Sequence, residues 1–287
     1  MAWFGGALVA ATFGVILGAA AVSLRDHDVP NVWAVIPAIS SGACADGDPG
    51  EETTTREGIA SDEVFELNLS FPCGELTVER AQSSTWRVEA AHDAGEAPRV
   101  EETDGTGGTT AISVSDDGAE GIAFIGRQSR SDWDVQVPAG AELTIGMTLD
   151  AAKGSIDTGA GSVGRVEATL NAADTTIDLG AADTGDASTL QLTLNASDGR
   201  LVLPAGPLRG SATLNASSLE ICAPASTAMQ IELTETLSSN DLDDAGLEEV
   251  GDSTWTTPGF SGSADHISLE LTSTVSSLSL ERPEACP

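Results

Sequence analysis

Lysine occurs once in 287 residues, at Lys153, tyrosine is absent, and aromatic side chains make up only 4% of the chain. Twelve basic residues stand against 45 acidic ones, a formal net charge of -33. Phosphate binding needs a basic patch, so nucleic acid is excluded as a partner. The same field repels an anionic lipid surface and holds the folded part away from headgroups. Scarce aromatics weigh against a sugar-stacking groove. His27, His92 and His266 are isolated and read as surface or loop residues. Cys44, Cys73, Cys222 and Cys286 show no C-x-x-C spacing and no His at metal-ligand intervals, so neither zinc nor another cofactor is expected.

What the chain does contain begins with an uncharged run, Ala2 to Leu24. As a helix rising about 1.5 Å per residue it spans the ~30 Å hydrocarbon core. The run predicts a single-pass anchor in the cell membrane. A cleaved signal peptide, ending near Gly18-Ala19-Ala20-Ala21, is the rival, but no basic residue precedes the run and it is too long for an h-region. Arg25 alone would favour the opposite topology; the acidic remainder, with its paired cysteines, places the bulk outside. Gly6, Ala10, Gly14 and Gly18 continue a four-residue stripe begun at Ala2, which lets two helix backbones approach closely and predicts a helix partner or a homodimer. Val29 to Ile39, broken by Pro30 and Pro37 and carrying Trp33, reads as an interfacial collar. The acidic Gly/Thr tract of residues 45–61 reads as a linker. The expected division is therefore 1–28 membrane helix, 29–61 collar and linker, and 62–287 a β domain.

Within that domain Leu170-Asn171-Ala172, Leu194-Asn195-Ala196 and Leu214-Asn215-Ala216 recur at intervals of 24 and 20 residues, and Leu149-Asp150-Ala151 is a variant copy 21 residues earlier. Each is followed by a second apolar alternation: Ile177 and Leu179, Leu201 and Leu203, Leu219 and Ile221. One unit reads strand, corner, strand. Self-similarity near 20 residues marks a solenoid, whose coils bury their apolar faces only by stacking. Asn171, Asn195 and Asn215 fall at one corner of successive coils, where their amides can form a ladder and where Asn tolerates a left-handed backbone. That ladder takes precedence over glycosylation at Asn195-Ala-Ser and Asn215-Ala-Ser; Asn68-Leu-Ser is a third acceptor pattern. Residues 94–110 read as a loop, the pattern blurs at Leu237 to Asp244, and Ile267 to Leu280 reads as a last coil capping the stack. Coils remote in sequence would then be remote in space, with Cys73 roughly 30 Å from Cys222 at ~4.8 Å per strand. That leaves Cys44 with Cys73, and Cys222 with Cys286, as the reachable disulfides.

Catalytic signatures are weak. Gly159-Ala-Gly161-Ser-Val-Gly164 spells a dinucleotide fingerprint but no helix-forming segment follows, so a solenoid turn is expected. Gly259-Phe-Ser261-Gly-Ser263 lacks the final glycine of a nucleophile elbow. Asp241-Leu-Asp243-Asp244-Ala-Gly246 resembles half a calcium loop, with Ala245 at a ligand position and no closing Glu. Asp157, Asp178 and Asp198, with Arg165 and Arg200, are the residues from which a carbohydrate-active β-helix enzyme would be built; solvated coil edges are the simpler explanation.

The strand-glycine-turn pattern from Val64 to Leu280, behind one membrane helix, resembles the bacterial putative-adhesin family, a domain of unknown function, and more distantly the Lia-type cell-envelope stress regulators. The likeness covers about three quarters of the chain. It implies a β-solenoid displayed outside a bacterial membrane, with no catalytic residues to carry over. Family members with several membrane helices differ from the short N-terminal region here. The predicted architecture is all-β, a single-stack parallel β-solenoid (β-helix) preceded by one transmembrane α-helix. The predicted role is non-enzymatic adhesion, scaffolding or envelope sensing, with a protein or polysaccharide ligand; the alternatives are the enzyme and a regulator of an envelope-stress sensor kinase.

Overall fold

The computed structural model describes residues 44, 50–60, 63–104, 108–116, 130–260, 266–284 and 286, which belong to one compact unit, Ser40–Pro287. Among the described residues no helix is long and apolar enough to cross a membrane. The expected span 2–24, with Gly6, Ala10, Gly14 and Gly18, and the collar lie outside them.

Everything described is strand, turn or loop. The strands in chain order are β1 (Glu52–Ile59), β2 (Val64–Phe71), β3 (Gly74–Arg80), β4 (Thr85–His92), β5 (Arg99–Asp104), β6 (Thr109–Ser115) and β7 (Ser131–Val137). Four regular coils follow: β8 (Glu142–Asp150) with β9 (Ala152–Asp157), β10 (Ser162–Asn171) with β11 (Asp174–Asp178), β12 (Asp183–Asn195) with β13 (Asp198–Val202), and β14 (Leu208–Asn215) with β15 (Ser218–Cys222). The chain ends with β16 (Met229–Thr236), β17 (Ser239–Asn240), β18 (Glu248–Glu249), β19 (Thr254–Thr256), β20 (Ile267–Thr274) and β21 (Ser277–Glu281).

Each coil gives its first strand to a front sheet and its second to a back sheet. The front sheet runs β18-β19-β16-β20-β14-β12-β10-β8-β2-β6-β5 and the back sheet β1-β4-β7-β3-β9-β11-β13-β15-β21-β17. Period-two alternation aims one column of each sheet inward. Leu149, Leu170, Leu194 and Leu214 form such a column from the front, and Ile156, Ile177, Leu201 and Ile221 one from the back, all at most 2% exposed. Each such side chain contributes about 1.5–3 kcal/mol by leaving water.

The core of the stack is parallel, as the repeat predicts, but its ends are not. Antiparallel pairs β1–β4, β4–β7 and β5–β6 close one end and β16–β19 and β18–β19 the other. The sheets are therefore mixed, and a purely parallel single stack is corrected to a parallel core with antiparallel ends. Two tracts read from sequence as linker and loop contain the edge strands β1 and β5. They were illegible because these edge strands cover their neighbours with Thr54, Gly58 and a lone Val100 and so have no apolar alternation to display; their threonines and charges also blunt pairing with other chains.

Stack order departs from chain order at both ends. Coil β2/β3 lies inside β6/β7, and coil β20/β21 is wedged between β14/β15 and β16/β17. In register, Ile267 pairs with Leu208 on one side and Met229 on the other. The last coil is thus interior, and the cap expected of it is supplied by β16 to β19. The same reordering leaves β3 and β15 four strands apart in the back sheet, about 19 Å at 4.8 Å per strand and nearer than the sequence estimate. Cys44 is bonded to Cys73 and Cys222 to Cys286.

Candidate functional site

The front-to-back corner is where the recurring phrase does its structural work. Asn215 Nδ2 donates to Asn195 Oδ1 at 2.9 Å, Asn195 Nδ2 to Asn171 Oδ1 at 2.9 Å, and Asn171 Nδ2 to Asp150 Oδ1 at 2.7 Å. All three bonds point the same way and end on a carboxylate, which can only accept. The variant letter in the fourth copy is the terminator of the ladder.

The left-handed residue at this corner is the one after the asparagine. Ala151, Ala172, Ala196 and Ala216 have φ of 50 to 52°, and Leu237 and Val275 occupy the same position in the last two rungs at 55° and 53°. Behind it lies a second ladder that sequence reading missed. The amides of Ala173, Ser197, Ser217 and Ser276 donate to the hydroxyls of Ser197, Ser217, Ser276 and Ser238 on the next rung, at 3.1 to 3.2 Å. Ser197, Ser217 and Ser276 return their own hydroxyl protons to the carbonyls of Asn195, Asn215 and Thr274. Asn-Ala-Ser therefore encodes outer ladder, left-handed corner and inner ladder; its likeness to a glycosylation acceptor follows from that geometry. The signal was present as the repeated Ser two residues after Asn195 and Asn215.

Asn195→Leu removes two ladder bonds and leaves Asn171 Oδ1 and Asn215 Nδ2 unpaired in a half-buried corner. A loss of about 2–3 kcal/mol is expected, measured by thermal or urea unfolding; unchanged melting would show that the ladder contributes nothing. Val275 is a β-branched residue in a left-handed conformation and is 39% exposed. Val275→Asn should relieve that strain and raise stability by about 0.5–1 kcal/mol. A lower melting temperature would place no strain there.

The return corner is held by arginine. Arg80, the last residue of β3, donates through Nε to the Thr158 carbonyl at 2.6 Å, through Nη1 to Ala141 at 3.1 Å and through Nη2 to Ser162 at 3.0 Å. Gly159, at φ 56°, and Gly161 make the room: a Cβ on Gly161 would stand 2.5 Å from Arg80 Nη1. The letters of the dinucleotide fingerprint thus pack a guanidinium. Arg282 repeats the device near the other end, donating to the carbonyls of Ala225 and Thr227 at 2.8 and 2.6 Å. Burial lowers the pKa of both arginines.

The residues of the enzymatic alternative are not brought together. Asp157 and Asp178 are register neighbours on the back sheet, while Asp198, at the opposite end of its strand, faces Asp174. Burial, then the charge of Asp174, raises the Asp198 pKa. Arg200 is paired with Glu220 at 2.6 Å, and Arg165 lies on the front sheet beside Glu167. Asp241 accepts from the Leu280 amide at 2.8 Å and so ties the segment after β17 to β21. No cluster of three or more metal-ligating side chains occurs among the described residues. His92, expected at the surface, is 3% exposed: Nδ1 donates to the Asp93 carbonyl and Nε2 meets the Thr54 hydroxyl, both at 2.8 Å. It is buried because β1, unseen in the sequence, covers it.

The outward front face is the extended surface of the stack. Beside the Asn file runs a second uniform file, Thr148, Thr169, Thr193, Thr213, Thr272 and Thr234, on β8, β10, β12, β14, β20 and β16 in register. Two residues back along each strand the column is mixed and partly charged, with Glu167, Gln191, Ser211, Glu270 and Glu232. A shallow basin of about 340 Å³ opens at its β16 end, lined among others by Arg209, Gln230, Glu232, His266, Ser268 and Glu270.

Residues 47–189 match the family described as the N-terminal domain of toast_rack, DUF2154. The crystal structure of a putative cell adhesion protein from Clostridium sporogenes overlaps 80% of this chain and 100% of its own, with a TM-score of 0.53 at 12% identity. That of a putative adhesin from Bacteroides fragilis overlaps 81% and 98%, with a TM-score of 0.32 at 6% identity. No curated protein matches the chain.

Proposed function

Because residues 47–189 carry the toast-rack N-terminal domain, a fold shared with the Clostridium sporogenes structure, we propose that the chain is a membrane-anchored, extracytoplasmic adhesion module that works without catalysis. The observation that carries this is the front face, an extended surface whose rungs are locked in register by the two corner ladders. A stacked array of this kind presents a long rigid surface suited to a polymer or another protein, in contrast to the enclosed pockets that hold small molecules. Residues 2–24 supply the anchor, and the acidic surface keeps the stack off the lipid. Two disulfides accord with an oxidising compartment.

The test uses the full chain in a bacterial host. Membrane fractionation should retain it, and protease added to intact cells should cleave it; deletion of residues 2–24 should release it from the membrane. Recovery in the soluble fraction, or protection until the cells are lysed, would overturn the proposal. Attachment of displaying cells to immobilised envelope material, lost on deletion of residues 130–284, reads the adhesive role.

A further inference from the structure

Two outward files of the front sheet repeat one residue, asparagine on β10, β12 and β14 and threonine on six adjacent strands, and internal bonding accounts for the first alone. The asparagines bond to one another. The six threonine hydroxyls, Thr148, Thr169, Thr193, Thr213, Thr272 and Thr234, make no hydrogen bond within the described residues, although they stand on six adjacent strands in register. Other columns of the same face vary freely: the one four residues before the threonines reads Thr144, Arg165, Thr189, Arg209, Ser268 and Gln230. Threonine's preference for strands would favour it equally in that column. Uniformity confined to one file, with its hydroxyls unused, points outside the chain.

We infer that the threonine file is the binding track for an extended, uncharged polysaccharide lying along the stack axis. Its length, five intervals of about 4.8 Å or roughly 24 Å, suits an elongated ligand. The side-chain ladder beside it favours a flat sheet, since ladders of this kind are what hold sheets untwisted. In a chain of net charge -33, the threonine positions and the adjoining Asn171, Asn195, Asn215, Thr274 and Thr236 carry no charge, and the one charge in the adjoining file on these six strands, Asp150, stands at its β8 end. A polyanion is repelled by the surrounding field, and a polycation finds its carboxylates elsewhere. Threonine offers a hydroxyl that both donates and accepts and a methyl beside it, which complements the alternating hydroxyl and C–H edges of a sugar chain. A peptide strand would instead bond through its backbone to a sheet edge. The basin at Arg209 and Gln230 lies beside the track, two to four residues back along β14, β20 and β16, where a side branch of the chain can seat.

This deepens the adhesive reading and is tested apart from it. Affinity electrophoresis of the full chain in detergent, through gels containing hydroxyethyl cellulose, glycol chitin, curdlan or pullulan, should show retardation by at least one, and none by alginate. Thr193→Glu and Thr213→Glu, with melting temperatures unchanged, should weaken it at least tenfold, while Thr176→Glu on the back face should leave it intact. No retardation by any of the four, retardation by alginate, or equal loss in the back-face variant overturns the inference. Cell attachment retained by the front-face variants would sink the polysaccharide track while leaving the adhesive reading standing.

Discussion

Arg80→Met is expected to destabilise the protein by about 3–4 kcal/mol. The side chain makes three hydrogen bonds from a charged donor to the carbonyls of Thr158, Ala141 and Ser162, and such bonds contribute about 1.5–3 kcal/mol each before the desolvation that lowers its pKa is set against them. Those carbonyls belong to the turn after β9 and to the entrances of β8 and β10, so one guanidinium ties two successive crossings between the sheets, β7 to β8 and β9 to β10. Methionine keeps most of the volume and none of the bonds. For a domain of this size the melting temperature should fall on the order of 10 °C. Arg80→Lys keeps the charge but not the fork, and should recover only part of the loss. A methionine variant that melts with the wild type would show that the turn carbonyls are satisfied without it.

The second large effect is expected from the double substitution Cys222→Ser and Cys286→Ser. The bridge closes a sequence separation of 64 residues, for which the chain-entropy relation gives about 4 kcal/mol. It also has a definite mechanical role. Cys222 ends β15, β21 is the strand next to β15, and Arg282 binds the turn immediately after Cys222, so bridge and arginine together tie the chain end to the coil beside which it inserts. Urea unfolding of the variant should show a lower midpoint, with early loss of amide protection in β20 and β21. Equal midpoints for the variant and the oxidised protein would mean the wedge holds without the bridge.

The legible part of the fold was the part that repeats. Leu-Asn-Ala and the alternation after it announced strand, corner and strand, because a buried column and an amide ladder need the same letter on every rung. The corners Thr236-Leu237-Ser238 and Thr274-Val275-Ser276 are the same device, yet they went unread as such: they share only the serine with Asn195-Ala-Ser and Asn215-Ala-Ser, and its part in the inner ladder is visible only once the backbone amide of the next rung is in place. Rung order was illegible for a related reason. Leu208 and Met229 both accept Ile267 as a register partner, and an apolar column of any coil fits against any other. Thr169, Thr193 and Thr213 stood in plain sight one residue before each Leu-Asn, but a threonine in a strand raises no question until its neighbours on adjacent rungs prove to be threonine too.

The wedged position of β20/β21 bears on the order in which the fold can be completed. A coil that fills a slot between two others cannot be added at the growing tip, as most solenoid coils are. Until residues 267–281 have emerged, β14 and β16 each expose an unpaired edge toward the gap, the kind of surface that invites association with other chains. Completion of the stack therefore waits on residues 267–281, and a chain truncated before β20 has lost the piece that joins β16 to β14. Insertion of residues 267–281 into their slot, more than the folding of any single coil, becomes the event that completes the stack.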